Sequence, residues 1–408
     1  MHAFFISLLT FTLLATAAPS PRRAVQTIAL TKRSNFLSNG FVNITALRGH
    51  IAYIEGKYAN NLAAFERNTG SSHPSAIGPS NTKRQTGGDS LTDDNGQLWF
   101  GQISVGTPPV TYTVDFDTGS SDLFLPSVDC DNTCAGHTPY DPSKSSTSSD
   151  VGNPFSLAFG DGSTVSGEEF TDTVTISGLT AQNQILGSST TYSTGFESSQ
   201  FVPDGLMGLA FPEIAQMGTP FFNTLIQQGS VSAGEFGMKL TEQGAELFLG
   251  GVDDKLVGGD FTTVPVTQPG FWQVEMDSAN VNGQAVVRGI SAIVDSGTTL
   301  IVGDSKRVSE FYNAIEGAKD ASATFGPGFF SFPCSSSPSV SLTFGGTAFD
   351  FSHTFSLGPA QQGSNDCIGG VIASDTGIDG WITGDVFMSN VYTAFSFDKT
   401  SVSFAPLA

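Results

Sequence analysis

Positive charge is scarce in this 408-residue chain: 17 Lys and Arg stand against 38 Asp and Glu, a formal net charge of −21. So acidic a surface repels nucleic acid and anionic membranes, and neither is expected as a partner. Histidine is scarcer. Of the five present, only His137 and His353 lie beyond residue 84, and no His-Glu-x-x-His occurs. Ser-His-Asp, Cys-His and zinc-protease mechanisms are therefore poorly supplied, and both histidines read as ordinary surface residues. A phosphate-cradling Gly-x-x-x-x-Gly-Lys loop is absent, which leaves nucleotide chemistry without support. Beyond the first twenty residues no apolar run is long enough to cross a bilayer, and residues 397–408 lack the apolar tail of a lipid-anchored precursor, so no membrane anchor is expected. Cysteine numbers only four, all past the leader, which in an exported chain reads as disulfides with three connectivities open. Paired cysteines also bind zinc, but Cys130-x3-Cys134 has no second close pair and only His137 beside it, so no metal is expected.

What the chain does carry begins with a leader. His2, an apolar stretch over 3–14 and the small residues Ala15, Ala17 and Ala18 read as a secretory signal peptide, residues 1–18, with a weak basic end. Charge then divides sharply. Residues 1–84 hold nine Lys or Arg and two Glu, whereas the remainder holds eight basic and 36 acidic residues. A basic segment ahead of an acidic one predicts that the first acts on the second, as a propeptide over 19–84; a basic leader that only assists folding is the plainer alternative. Lys83-Arg84 closes that segment in a Ser-, Gly-, Asn- and Pro-rich stretch open to a dibasic-cleaving processing protease, and Lys32-Arg33 is a second dibasic pair. The Asn-x-Ser/Thr acceptor Asn43 also falls inside it.

One short carboxylate motif occurs twice. Val114-Asp115-Phe116-Asp117-Thr118-Gly119-Ser120-Ser121 and Ala292-Ile293-Val294-Asp295-Ser296-Gly297-Thr298-Thr299 lie 178 residues apart, about one domain length. A single copy reads as a strand-ending turn. Two copies predict one carboxylate from each of two lobes, meeting across an interface where like charges cannot both ionise and one proton is shared. Such a pair can hold a water molecule: the ionised partner takes its proton as it attacks a peptide carbonyl, and the protonated partner hydrogen-bonds the carbonyl oxygen. Gly119 and Gly297 let backbone N–H groups approach the carboxylates. Asp115 shares a strand face with Asp117, where a supporting carboxylate and a solvated strand-edge residue both fit.

At these residues the chain resembles the pepsin-like aspartic proteases. Trp99-Phe100-Gly101-Gln102-Ile103-Ser104-Val105-Gly106-Thr107-Pro108-Pro109 is similar to the family's first mature strand. Asp204-Gly205-Leu206-Met207-Gly208-Leu209-Ala210-Phe211 and Trp381-Ile382-Thr383-Gly384-Asp385-Val386-Phe387 resemble its paired segments behind the catalytic loops. The resemblance implies catalytic Asp117 and Asp295, with Ser120 and Thr298 bonding the outer carboxylate oxygens and Thr118 and Ser296 linking the two loops. It implies disulfides Cys130–Cys134 and Cys334–Cys367, and a propeptide lysine set into the dyad, for which Lys57-Tyr58 is similar to the family's Lys-Tyr pair. A flap is implied over 155–163, where Phe159 stands in place of the usual tyrosine and Phe124 in place of the usual tryptophan. Loss of both polar partners leaves an aromatic lid without its usual hydrogen bond. Gly160 and Asp161 would bond substrate backbone, Leu206 and Phe159 would line a pocket for apolar side chains, and Asp161 would favour a basic residue beside the scissile bond, although Asp is commonplace in hairpin turns.

Alternating runs at 111–116, 169–176, 246–249, 271–276 and 341–344, separated by Gly, Asp, Asn and Ser clusters, predict an all-β, bilobal body with an N-terminal lobe over 85–253 and a C-terminal lobe over 254–408. Helices are expected to be few and short, at 220–228 and 305–315. The reading is a monomeric, secreted or vacuolar endopeptidase of proteins and peptides, made as a zymogen and active in acid. Water is its nucleophile, so it needs no cofactor. The alternative from another class is a non-catalytic pepsin-fold binding or inhibitor protein. Because acid relieves the self-repulsion of so many carboxylates, a thermal-melting series across pH is expected to peak below pH 7.

Overall fold

Val110–Asp117 carries Tyr112, Val114 and Phe116 at alternating positions, all buried, and this period of two makes it a strand. It belongs to a computed structural model that describes residues 25–32, 36–77, 99–158, 164–199 and 201–408. Trp99–Val105 pairs antiparallel along one edge, and Gly205–Gly208 pairs parallel along the other, with Gly208 opposite Asp117. These strands sit in an eight-stranded sheet, at one edge of which the leader adds Thr31–Lys32.

The second half repeats the plan. Gln284–Val294 runs parallel to Trp381–Thr383, which pairs antiparallel with Ile301–Gly303, inside a seven-stranded sheet. A six-stranded sheet crosses the 253/254 boundary: Glu235–Lys239 pairs with Val391–Ser396, and the leader strand Gln26–Ala29 forms its outer edge against Glu246–Leu249. Beneath it Trp272 packs on Phe211, Phe236, Phe395 and Phe397, and its indole N–H donates to the Leu209 carbonyl at 3.1 Å. The all-β body is thus closed from both halves.

Most expected strands appear at or near their sequence positions, as Val110–Asp117, Thr164–Ile176, Glu246–Leu249 and Val340–Phe344. The run at 271–276 differs. Its strand is Gln273–Val281, because Phe271 and Trp272 are spent on aromatic packing just before the ladder begins. Helices form at Phe221–Gln227 and at Ser305–Asn313, the latter capped by Asp304, which accepts from the Arg307 N–H at 3.0 Å.

The expectation of only short helices is corrected by Ile44–Thr69, a helix of 26 residues in the basic N-terminal segment. Asn43 caps it by accepting from the Ala46 N–H at 3.1 Å, and Gly70, at φ 75°, ends it in the left-handed conformation that glycine adopts without strain. Its buried face mixes Leu47, Ile54, Tyr58 and Phe65 with Lys57 and Asn61, so no clean apolar stripe marks it in the sequence. At 1.5 Å per residue it spans about 39 Å, enough to cross the body.

The structure joins Cys130 to Cys134 and Cys334 to Cys367. The first closes a separation of 4 residues and the second one of 33. Chain-entropy arguments put these constraints at about 2 and about 4 kcal/mol. Replacing Cys334 and Cys367 by alanine should therefore lower the urea midpoint about twice as far as replacing Cys130 and Cys134, as read by equilibrium unfolding.

Candidate active site

The catalytic-type loops are built by parallel strand neighbours that repeat in each half. The Leu209 N–H donates to the Asp117 carbonyl and the Ala210 N–H to the Ser120 carbonyl, each at 2.8 Å. In the second half the Asp385 N–H donates to the Thr298 carbonyl and the Val386 N–H to the Thr299 carbonyl, also at 2.8 Å. Both loops therefore hang on backbone bonds from behind, which leaves their side chains facing the cleft.

Hydroxyls lock one loop to the other. The Ser296 N–H donates to Thr118 Oγ1 at 2.9 Å, and that hydroxyl donates on to the Val294 carbonyl at 3.0 Å. Reciprocally, the Thr118 N–H donates to Ser296 Oγ at 3.0 Å, which donates to the Phe116 carbonyl at 2.7 Å. All four groups are buried, so breaking any one leaves an unpaired polar atom costing ~1–3 kcal/mol. The glycines make the approach feasible. A Cβ on Gly119 would lie 2.4 Å from Asp295 Oδ1, and one on Gly297 would lie 2.2 Å from Asp117 Oδ1.

Asp117 and Asp295 have no exposed surface. Asp117 accepts from the Gly119 N–H at 2.8 Å and from Ser120 Oγ at 2.5 Å; Asp295 accepts from the Gly297 N–H at 3.0 Å and from Thr298 Oγ1 at 2.6 Å. Between them stands Lys57, whose ammonium lies 3.1 Å from Asp117 and 2.8 Å from Asp295. Tyr58 donates to Asp295 at 2.9 Å, and Asn61, one helical turn beyond Lys57, donates to the Gly119 carbonyl at 2.7 Å.

Electrostatics follow from burial and this cation. Burial raises the Asp117 pKa, which Lys57 opposes and Asp295 reinforces. Burial also resists charge on Asp295, yet Lys57 and the surrounding hydrogen bonds hold it below the usual carboxylate range. The two otherwise similar carboxylates are thus pushed apart. Lys57 itself loses hydration, but the two aspartates offset this and raise its pKa. Asp115 is fully buried with neither carboxyl oxygen hydrogen-bonded, and burial followed by the Asp117 charge pushes its pKa well up. The solvated strand-edge alternative is therefore excluded for Asp115.

Leu206 and Phe124 line a pocket beside the dyad with Leu157, Ser120 and Asp122, and Tyr53 of the long helix reaches into it. Phe124 packs edge-on against Tyr192 and Phe196, where an indole N–H would need a partner. Asp122 accepts from the backbone N–H groups of Gln216 and Met217; burial nevertheless raises its pKa to about 6. Phe159, Gly160 and Asp161 lie outside the described residues, as do Lys83 and Arg84. His353 is exposed, but His137 corrects its surface assignment: it is buried, with Nε2 2.9 Å from the Phe196 carbonyl. Among the described residues no cluster of three or more His, Cys, Asp or Glu could hold a metal, and no helix is long and apolar enough to cross a membrane.

Sequence reasoning missed Asn61, Tyr53 and His50, the last accepting from the Thr299 N–H at 3.0 Å. A signal existed in the i, i+4 spacing of Tyr53, Lys57 and Asn61, which puts them on one helix face. Two facing carboxylates on symmetric, cross-bonded loops in a two-lobed β body define the pepsin-like aspartic proteases as a class. The model of the eukaryotic aspartyl protease family matches residues 98–407. An aspartic protease of Phaffia rhodozyma is 39% identical over 341 residues, 82% of each chain. Cathepsin D of Gallus gallus is 40% identical over 75% of this chain and 80% of its own, and pepsin A of Canis lupus familiaris 34% identical over 76% and 81%. The chain belongs to the eukaryotic aspartyl protease family and is an aspartic-type endopeptidase.

Because a methyl group at residue 297 would displace buried Asp117, Gly297→Ala should lower kcat at least about a hundredfold and also lower the melting temperature. Steady-state hydrolysis of a peptide alongside calorimetry checks this.

Proposed function

We propose that this endopeptidase is exported as a zymogen, that residues 19–84 are its propeptide, and that Asp117 and Asp295 are its catalytic pair. The observation that carries the reading is Lys57, an ammonium within 3.1 Å of one aspartate and 2.8 Å of the other. It occupies the place a nucleophilic water needs. Asn61 meanwhile takes up the Gly119 carbonyl, an acceptor otherwise open to a substrate N–H. Lys83-Arg84 is the processing site for a dibasic-cleaving protease, and the released enzyme acts outside the cytosol as a monomer.

With the helix gone, the pair shares one proton. The charged aspartate takes a proton from water as its oxygen bonds to the peptide carbonyl carbon, while the protonated aspartate donates to the carbonyl oxygen. Collapse of the tetrahedral diol passes a proton to the leaving nitrogen, breaks the C–N bond and restores the shared proton. Ser120 and Thr298 orient the outer oxygens throughout. Apolar substrate side chains enter the pocket of Leu206 and Phe124 and meet Phe159 of the flap, whose Gly160 and Asp161 bind substrate backbone.

The pH logic follows from the Lys57 contact. Lys57 holds Asp295 below its ordinary range in the closed state, so this carboxylate favours the bound helix above about pH 3.8 and the contribution is lost as pH falls through the depressed value, while Asp117, raised to about 6 chiefly by burial, contributes with the opposite sign. Acid-treated precursor should cleave denatured protein between pH 2 and 7 with most activity at the acid end, untreated precursor offered the same substrate at pH 7 should not, and Asp117→Asn should abolish cleavage. Lys57→Ala removes one partner of a buried ion pair, weakening helix docking by roughly 3–5 kcal/mol, and should give a precursor that hydrolyses peptide at pH 6 without acid treatment. A Lys57→Ala precursor as latent as the unaltered one would sink the blocking role given to Lys57.

A further inference from the structure

Two of the five histidines, His50 and His73, lie on the proposed propeptide, and both rings are seated against the body as hydrogen-bond acceptors. Seven residues before Lys57, His50 is partly buried between Phe36 and Tyr53, at ring separations of 5.5 and 6.3 Å. Its Nε2 accepts the Thr299 N–H at 3.0 Å, four residues beyond catalytic-type Asp295. His73 follows the Gly70 cap and is 2% exposed, wedged edge-on between Phe65 of the helix and Phe271 of the body. Its Nδ1 accepts the Ser75 N–H at 3.2 Å, and its Nε2 is buried without a partner. Ser75 in turn bonds Gln273, and its carbonyl accepts from the Asp379 N–H at 2.7 Å, so this turn anchors the end of the segment.

We propose that His50 and His73 are proton-sensing latches of the propeptide: a proton arriving on either ring cannot be housed where that ring sits, so mild acid drives the helix off the cleft. The inference rests on the zymogen reading and adds a trigger separate from the dyad carboxylates. At His50 a new Nε2–H would point at the Thr299 N–H, donor against donor. The charged groups facing this ring are Lys57 on its own helix, which repels a second cation, and Asp295 on the catalytic loop, which offsets part of that repulsion. Tyr53 and Phe36 contribute no charge. At His73 a new Nδ1–H would oppose the Ser75 N–H inside an aromatic wedge, and among the described residues no charged group compensates.

Burial, then Lys57, lowers the bound His50 pKa to about 3, and burial lowers that of His73 to about 4. Both lie below the ordinary 6.5, so the bound state holds fewer protons than the released one and acid favours release. The bias begins near pH 6.5 and grows about tenfold per pH unit for each ring, until the bound values are reached.

Full-length precursor carrying His50→Gln and His73→Gln tests this, because glutamine accepts a hydrogen bond and does not titrate. After a step to each pH, the rate of appearance of activity on a quenched peptide is measured. The double variant should need about one pH unit more acid for half-maximal activation, with a shallower pH dependence. His50→Arg, a permanent cation, should instead activate at pH 7. An unchanged midpoint and slope in the glutamine variant, or full latency of His50→Arg at pH 7, would overturn the inference. Unaltered precursor already active at pH 7 would overturn the zymogen reading instead, whatever the histidine variants do.

Discussion

Two carboxylates with no exposed surface, brought face to face from opposite halves of one chain, set the terms for everything around them. Unscreened, they cannot both be charged, and the fold must supply either a shared proton or a cation. The reciprocal Thr118 and Ser296 bonds hold the loops close enough for that choice to be forced, and Gly119 and Gly297 remove the atoms that would keep them apart. Sheet pairing from Gly205–Gly208 and Trp381–Thr383 then keeps the loops from recoiling.

In the closed molecule the choice falls on a cation, Lys57, delivered by a helix whose buried face mixes polar Lys57 and Asn61 with Leu47, Ile54, Tyr58 and Phe65. In the proposed zymogen reading, the polar part of that face is what acid acts on to release the helix. Contacts to the carboxylates and to the two imidazoles depend on protonation, whereas the Asn61 bond to the Gly119 carbonyl does not. The leader strands at the edges of the eight- and six-stranded sheets tie the helix to both halves of the body. In the proposed reading, altering a few protonation states changes access to the whole cleft.

The duplicated Asp-hydroxyl-Gly motif, the leader's charge reversal and the alternating strand runs were all legible in the sequence, because each depends on residues near one another along the chain. The helix Ile44–Thr69 was not, since Lys57 and Asn61 interrupt the apolar period of its buried face. Phe271 and Trp272 likewise read as strand until the packing of Trp272 on Phe211 and Phe395 assigned them elsewhere. His137 read as surface because nothing local marks its contact with Phe196, 59 residues away.

By itself, then, the sequence determined the reaction class, the duplicated motif that brings Asp117 and Asp295 together and the all-β character, since local pattern and motif carry these. Only the tertiary structure decided that Lys57 stands between the aspartates, that Asn61 and His50 seal the same loops, and that Asp115 is buried without a partner. Those contacts join residues from 58 to 249 positions apart, and their energies arise from desolvation and charge in a closed interior that no stretch of sequence contains.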